Sequence, residues 1–464
     1  MTRVPSAILI LGVVFLVSGC LTIKIEEARA RLPRSQGSAS MNLKTPLEGT
    51  SARKASALAF AAPAFGATGD GATDDTAALQ RAIDAAAEQG GVVYLPPGHY
   101  RVSGSLTVKP GVTVRGAHDA PAAIEPLLGT VILATGGRDD EAAPALFEMG
   151  QASVVSGLTV WYPDQMPTDI RPYPWTFHLT GFDTTLENVT LINSYNGIKV
   201  GPEDNVRHRI RSVAGCVLRR GLFVDGCTDI GRVENVQFHC HWWSHPSTHG
   251  AWEPVYNYMV ENLEAFVFGR TDWEYVTNNF VFPAKIGYRF VKTEKGACNG
   301  HFTADGADAC ETSVVVDEIQ YMGLLFTGGQ FVAFTGRNPV EIRISDTSTG
   351  NVRFVNCAFW GPVEHNAVIR GKGFVSFSDC FFSNSKKDAA DSPLVVVESG
   401  RVQINNSTFA TPQPSVQLGP GVAHAIVQGC NGGAGVRVID ETNGKAILAN
   451  NEPPSEPKKE DESK

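Results

Sequence analysis

A short pattern recurs along the chain from residue 155 onward. It consists of an apolar residue, a polar residue, Asn or Gly, an apolar residue or Cys, a polar residue and an apolar residue, as in LENVTL at 186–191 and FVNCAF at 354–359. The third residue of each copy serves as a marker, and the markers are Gly157, Asn188, Ser212, Asn235, Asn262, Gly329, Asn356, Asp379, Asn406 and Gly429. Most steps between markers span 23–31 residues, and one step of 67 residues contains at least one further repeat. Short strands repeating every ~25 residues are typical of a parallel β-helix, in which each coil contacts only its neighbours.

The alternation within each copy predicts which side chains face the interior of the coil. Apolar residues point inward and polar residues outward. The recurring Asn is predicted to occupy a turn between two faces, where stacked amides can hydrogen-bond from coil to coil. Cys357, Cys380 and Cys430 share one repeat position, so we expect them to form a buried stack of small hydrophobic side chains.

The stretch FGATGDGATDDTAALQRAIDAAAEQGGVVYLPPGHY at 65–100 predicts a loop, an amphipathic helix over Asp75–Gln89 and two short strands. Thr73 and Asp74 are its candidate N-caps. The stretch resembles the opening of the pectate-lyase-like superfamily, which includes polygalacturonase-, rhamnogalacturonase- and epimerase-related proteins. That resemblance implies an all-β fold, namely a single-stranded right-handed parallel β-helix whose open N-terminal end is capped by the α-helix. It also implies a carbohydrate substrate.

The two ends of the chain are predicted to lie outside this fold. Residues 1–20 are predicted to be a signal peptide, and their end, VSGC, resembles a bacterial lipobox. That resemblance implies cleavage before Cys20 and a lipid anchor on it, so the protein is exported to the cell envelope. Leu21 after the cysteine resembles the signal for sorting to the outer membrane. An ordinary secretory signal is the alternative.

The remaining boundaries follow from composition. Residues 21–56 lack periodicity and are predicted to be a flexible tether, residues 57–451 the β-helix domain, and residues 452–464 a disordered tail. The net charge is −9 and no basic block precedes the tail, so a nucleic-acid partner is not expected.

The nine cysteines include no CxxC pair, so the sequence predicts no cysteine-based zinc site. No cofactor is predicted either. Cys298 and Cys310 flank a polar loop in a chain predicted to be exported, and they are predicted to form a disulfide.

Residues 161–275 contain six of the seven Trp and six of the eleven His residues. Aromatic rings on the surface of an exported β-helix suit stacking on sugar rings. The alternative is that they pack the insert at 240–259 onto the coil. We predict one substrate groove lined by Trp161, Tyr162, Trp175, His239, His241, Trp243 and Arg270.

Asp272 and Glu274 are the first candidates for catalytic residues. On an extended segment they would project from one face about 6.5–7 Å apart, near the lower end of the spacing for the acid and base of an inverting glycosidase. The reserve carboxylates are Asp225, Asp229 and Glu253. His239 and His241 could instead ligate a metal with His245 or His249, although such imidazoles more often hydrogen-bond to sugar hydroxyls.

These residues favour a glycoside hydrolase acting on an extracellular polysaccharide. A polysaccharide lyase acting on a uronate-containing glycan and a non-catalytic glycan-binding protein are the alternatives. A lyase needs a base and a cation, for which the candidates are Arg219, Arg220, His241, Tyr258 and Arg270. The chain lacks the paired NTD, DD, GHG and RIK signatures of polygalacturonases and the DPHD motif of alginate epimerases. No catalytic residue can therefore be transferred from the resemblance.

Overall fold

The computed structural model describes residues 59–122, 125–388 and 391–454. The predicted signal peptide with Cys20, the tether at 21–56 and residues 455–464 of the predicted tail lie outside the described residues. Within the described ranges, no helix is long and apolar enough to cross a membrane.

The described chain winds into a right-handed parallel β-helix, which confirms the predicted fold, and every pairing between its strands is parallel. Its strands are β1 (Ala59–Ala61), β2 (Asp70–Asp74), β3 (Val92–Tyr94), β4 (Gly98–Val102), β5 (Leu106–Val108), β6 (Thr113–Arg115), β7 (Thr130–Ala134), β8 (Phe147–Met149), β9 (Val154–Ser156), β10 (Thr159–Trp161), β11 (Trp175–Leu179), β12 (Thr185–Val200), β13 (Arg209–Val224), β14 (Arg232–His239), β15 (Glu264–Phe268), β16 (Thr271–Thr277), β17 (Phe280–Phe282), β18 (Ala284–Phe290), β19 (Cys298–Thr303), β20 (Gly306–Val316), β21 (Ile319–Thr327), β22 (Gln330–Ala333), β23 (Val340–Ile344), β24 (Val352–Val355), β25 (Ala358–Gly361), β26 (His365–Ile369), β27 (Phe374–Ser378), β28 (Phe381–Asn384), β29 (Val395–Asn405), β30 (Thr408–Phe409), β31 (Val416–Gln428), β32 (Asn431–Gly432), β33 (Val438–Asp440) and β34 (Ala446–Ala449).

The strands form three stacks, each receiving a strand segment from successive coils. The first stack runs through β14, β16, β19, β21, β24 and β27, the second through β14, β17, β20, β22 and β25, and the third through β13, β15, β18, β20 and β23. Apolar side chains fill the interior between them. In the first stack, Phe326 lies on Phe354 with ring centroids 4.9 Å apart, and Phe354 lies on Phe377 at 5.2 Å.

The recurring polar residue lies at the corner between the first and second stacks. Asn188, Ser212, Asn235, Asn356, Asp379 and Asn406 all have left-handed backbone conformations there. Asn and Asp tolerate this conformation better than most residues because their side chains hydrogen-bond locally. Asn278 extends the ladder by donating from Nδ2 to Asn235 Oδ1 at 3.3 Å.

Two of the predicted corner residues were wrong. Asn262 is the last residue of a helix, and Gly329 lies one position beyond the left-handed corner at Gly328. The true corners in the long step are Asn278 and Ala304, since both have a positive φ. The insert after residue 239 lengthens one coil and hides this periodicity.

Two α-helices accompany the coils. Helix α1 (Thr76–Ala87) is shorter than the predicted Asp75–Gln89 and buries Leu79 and Ile83 against the first strands, as expected for a cap. Helix α2 (Trp252–Asn262) belongs to the insert. Short 3₁₀ helices cover Ala62–Phe65, Cys240–Trp243 and Pro246–Thr248.

The start of α1 is held by Asp74 and Asp75. Asp74 Oδ1 accepts from the backbone N–H of Thr76 at 3.0 Å. Asp75 occupies the N-cap position but turns its carboxylate to the preceding loop, accepting from the N–H of Thr68 at 2.7 Å and of Gly69 at 3.1 Å. The acidic pair is therefore structural.

The predicted disulfide is wrong, because both thiols are free and lie in different stacks of the buried interior. Cys298 lies in β19 and accepts a hydrogen bond from Thr271 Oγ1 at 3.0 Å. Cys310 lies in β20 and donates to the carbonyl of Asp308. The expected burial of Cys357, Cys380 and Cys430 is confirmed.

Candidate functional site

An open groove of about 590 Å³ runs along the outside of the first stack. We call it the basic groove, and its lining residues are Trp273, Asn299, His301, Tyr321, Met322, Gly323, Asn351, Arg353, Phe374 and Arg401. Two of its aromatic residues are unusually exposed for a folded chain, at 60% for Trp273 and 75% for Tyr321. Large exposed apolar surfaces of this kind mark binding sites.

A bulge in β16 presents Trp273 to solvent. Trp273 has a φ of 54°, and the pairing of β16 with β19 shifts register between Thr271 and Glu274. The backbone N–H of Trp273 donates to Asn299 Oδ1 at 3.0 Å, which fixes the bulge against the next coil. Bulges of this type redirect a side chain out of its expected face.

Two arginines give the groove its positive charge. Arg353 in β24 and Arg401 in β29 are exposed, and within the described part of the chain neither has a carboxylate within 4 Å. His301 lies on the same stack, with its ring 5.6 Å from that of Tyr275. The protein as a whole carries a net charge of −9, but these arginines make the groove locally positive, and this favours an anionic ligand.

The bulge separates the carboxylates that were predicted to act together. Glu274 is fully buried, and its Oε1 lies 2.9 Å from His208 Nε2. Asp272 is partly exposed and forms an ion pair with Arg270 at 2.5 Å. The assignment of Asp272 and Glu274 as acid and base on one face is therefore wrong. The extra residue in the bulge at Trp273 places the two side chains on different faces of β16.

Asp272 and Arg270 instead support the base of the basic groove. Asp272 Oδ1 accepts from Gln320 Nε2 at 2.7 Å and from Asn299 Nδ2 at 3.3 Å. Asn299 in turn donates to Gln320 Oε1 at 2.9 Å. This network orients Asn299, which lines the groove, so Arg270 does not act as a free cation for substrate.

None of the reserve carboxylates lines the basic groove. Asp225 is buried and accepts from Thr293 Oγ1 and from the backbone N–H of Arg270, both at 2.8 Å. Asp229 lies 3.7 Å from Arg207 in a half-exposed ion pair. Glu253 lies in the first turn of α2, where a negative charge complements the helix dipole.

The predicted single aromatic groove does not form. Tyr162 is buried, with its hydroxyl 3.0 Å from Thr176 Oγ1, and Trp243 is buried and donates from Nε1 to the carbonyl of Thr248 at 3.1 Å. Trp161 in β10 and Trp175 in β11 are partly buried and do not line the basic groove.

His239 and His241 pack the insert onto the coil, with their ring centroids 4.2 Å apart. His239 also stacks on Phe282 at 4.7 Å. Burial, reinforced by the proximity of His241, lowers the pKa of His239 to about 4. His239, His241 and Trp243 therefore pack the insert onto the coil, which was the alternative to a role in substrate binding.

A second groove, of about 300 Å³, follows the corner and outer face of the second stack. We call it the acidic groove, and it is lined by Asn278, Asn279, Phe280, Ala304, Asp305, Gly306, Ala307, Asp308, Gly328, Gln330, Val332 and Trp360. Burial raises the pKa of Asp305 to about 7, although hydrogen bonds from Asn279 oppose the shift. Burial also raises the pKa of Asp308.

Residues 60–231 match the family described as rhamnogalacturonase A/epimerase, pectate lyase-like. This match and the parallel β-helix support the pectate-lyase-like resemblance seen at 65–100. The matched segment ends before the coils that form both grooves, so the pectate-lyase-like match does not identify catalytic residues in them.

Solved structures show the same fold at low identity. The A-module of a mannuronan C-5 epimerase from Azotobacter vinelandii is 17% identical, with a TM-score of 0.52 over 86% of this chain and 97% of that one. A DFA-IIIase from Arthrobacter chlorophenolicus A6, without its lid and in complex with GF2, is 13% identical, with a TM-score of 0.53 over 84% and 98%. The pre-mature gene product 12 of bacteriophage phi29 is 13% identical, with a TM-score of 0.53 over 81% and 52%. No curated protein matches the chain in sequence.

The residues of the basic groove were not predicted from the sequence as a site. A signal was present, because Tyr275, His301 and Arg353 each lie three residues before a corner residue and share one outward row. That row became visible only with the correct corners at Asn278 and Ala304.

Proposed function

We propose that this pectate-lyase-like protein is a polysaccharide lyase that binds a uronate-containing polysaccharide in the basic groove. The observation that carries the proposal is the pairing of two unpartnered arginines with exposed aromatic rings in one groove. Guanidinium groups bind carboxylates through two parallel hydrogen bonds, and aromatic faces stack on the apolar faces of sugar rings. Arg353 and Arg401 therefore hold uronate carboxylates, while Trp273 and Tyr321 hold the rings.

The same residues suit removal of the proton next to a uronate carboxylate. Withdrawing that proton places negative charge on the carboxylate oxygens, and a bound arginine stabilises this charge in the transition state. His301 is the base that accepts the proton. The bond from the neighbouring ring carbon to the glycosidic oxygen then breaks, a double bond forms in the uronate ring, and the departing oxygen takes up a proton from water.

One structure with this fold is an epimerase whose name gives mannuronan as its substrate. Epimerisation at C-5 shares the first step of the lyase reaction but returns a proton to the opposite face of the ring. The products therefore separate these two outcomes, although the groove residues serve both.

A glycoside hydrolase is the second candidate, and the acidic groove favours it. Asp305 and Asp308 both have raised pKa values in a groove that also contains the exposed ring of Trp360. A carboxylic acid that stays protonated near neutral pH can protonate a leaving oxygen. However, Asp305 is almost fully buried and accepts from Asn279 N at 2.9 Å and Nδ2 at 3.0 Å, which is a structural arrangement.

The products formed from a panel of acidic and neutral polysaccharides test the proposal. We expect cleavage of an acidic polymer with new ultraviolet absorbance from an unsaturated uronate. Solvent deuterium incorporated into the polymer without cleavage would instead identify an epimerase. New reducing ends without ultraviolet absorbance, or no reaction on any acidic polymer, would contradict the lyase assignment.

We also propose that Cys20 anchors the protein to the outer membrane of a bacterium. Replacing it with serine removes the thiol that would carry the lipid, so Cys20→Ser should move the protein from the membrane fraction to the soluble fraction or leave an unprocessed precursor. Fractionation and acyl labelling measure this. Wild-type protein that is wholly soluble and carries no acyl label would contradict the anchor.

A further inference from the structure

Three potential metal ligands meet inside the coil, away from both grooves. His208, Cys227 and Glu274 are completely buried, and one ligand atom from each lies within 4.8 Å of the other two. They come from three successive coils at one corner, where Cys227 bridges to Asn205 on one side and to Thr271 on the other.

The polar contacts of the cluster leave one atom unsatisfied. His208 Nε2 lies 2.9 Å from Glu274 Oε1, and His208 Nδ1 lies 3.3 Å from Asn205 Oδ1. Glu274 Oε2 is buried and has no hydrogen-bond partner among the described residues. A buried carboxylate oxygen without a hydrogen-bond partner destabilises the folded state, so a ligand at this position would relieve that penalty.

Gly231 closes the cluster on another side. A Cβ atom at this position would lie 2.2 Å from His208 Cε1 and 2.3 Å from Glu274 Oε2. Only glycine therefore fits beside the imidazole and carboxylate, and any larger residue would displace them.

We propose that His208, Cys227 and Glu274 bind one divalent metal ion, with zinc as the natural occupant. Nitrogen, thiolate and carboxylate ligands in one set suit zinc, whereas calcium and magnesium prefer oxygen alone. Glu274 can use both oxygens, which supplies four ligand atoms. Asn205 Oδ1 accepts from the Nδ1–H of His208 and leaves Nε2 free for the metal, the usual outer-shell contact of a ligating histidine.

The metal would serve structure rather than catalysis, since none of its ligands is accessible to solvent. It would join three coils and fix Glu274, the residue that follows Trp273 in the bulge. This inference is independent of the reaction proposed for the basic groove.

Metal analysis of the full chain tests the site. The protein is refolded from denaturant with one equivalent of Zn²⁺ or Co²⁺, and unbound metal is removed. We expect about one equivalent of bound zinc, and a cobalt form with a thiolate-to-cobalt charge-transfer band. Cys227→Ser should lose that band and most of the metal, whereas the matched control Cys216→Ser, another buried free thiol, should keep both.

The wild-type spectrum keeps the test decisive even if a variant fails to fold. Folded wild-type protein that retains well under one equivalent of either metal, or a cobalt form without the thiolate band, would overturn the site. Equal loss of metal in Cys216→Ser and Cys227→Ser would also overturn it.

Discussion

Replacing His301 with glutamine is expected to lower the turnover of an acidic polysaccharide by about 10²–10⁴-fold, the usual contribution of a positioned general base. Glutamine retains a hydrogen-bonding side chain of similar reach but cannot accept the proton. The affinity for substrate should change little, because Arg353, Arg401 and the aromatic rings still hold it. Steady-state kinetics on the polymer cleaved by the wild type measure kcat and KM separately.

His365→Gln is the matched control for this experiment. His365 lies on the third stack, where its Nδ1 is 2.7 Å from the carbonyl of Pro393, and it lines neither groove. Its replacement should leave kcat within a few-fold of the wild type. A similar modest effect of His301→Gln would show that another residue removes the proton.

Replacing Asp305 with asparagine is expected to stabilise the protein above neutral pH. Burial raises the pKa of Asp305 to about 7 from an ordinary value of 3.8, so the folded state binds a proton that the unfolded state has released. The wild-type protein therefore loses stability as pH rises through this window, by about 4 kcal/mol in total. Asparagine mimics the neutral acid and retains the oxygen that accepts from Asn279.

The measurement is the free energy of unfolding of both proteins from pH 4 to pH 8. The difference between variant and wild type should be small at pH 4 and should grow in favour of the variant up to pH 8. Glu341 is also buried with a raised pKa and contributes in the same direction to both proteins, so the difference isolates Asp305. Asp346→Asn, at an exposed position, is the matched control, and a pH-independent difference for Asp305→Asn would contradict a buried protonated acid.

The repeat and the capping helix were predictable because each is encoded by local pattern. Alternating apolar residues specify which side faces the interior, and Asn or Asp at a left-handed corner marks where one face ends. The six corner residues such as Asn188 and Asn406 were found for this reason. The helix was found from the spacing of Leu79 and Ile83.

The site could not be predicted in the same way, since it depends on departures from the pattern. A bulge adds one residue to a strand, and every side chain after the bulge then lies on the opposite face from the one that simple alternation predicts. Counting by twos from Asp272 therefore placed Glu274 outside, whereas the left-handed Trp273 placed it inside. No composition signal distinguishes a Trp at a bulge from a Trp in an ordinary strand.

The concentration of Trp and His in residues 161–275 was misleading for a related reason. An insert must bury its own apolar surface on the coil, and Trp243 and His239 serve this purpose. The proposed binding face instead assembles from coils spread between residues 273 and 401. Neighbouring residues of that face are separated by a whole coil in sequence, so they form no local cluster.

The affinity of a short acidic oligosaccharide tests the central claim most directly. Calorimetry or fluorescence titration compares a uronate oligomer with a neutral oligomer of equal length, using the wild type, Arg353→Gln and Trp360→Ala. The basic groove predicts that the wild type prefers the acidic oligomer, that Arg353→Gln weakens this binding by about 10-fold or more, and that Trp360→Ala in the acidic groove leaves it unchanged. Equal affinity for the neutral oligomer, or loss of binding in Trp360→Ala with Arg353→Gln unaffected, would contradict it.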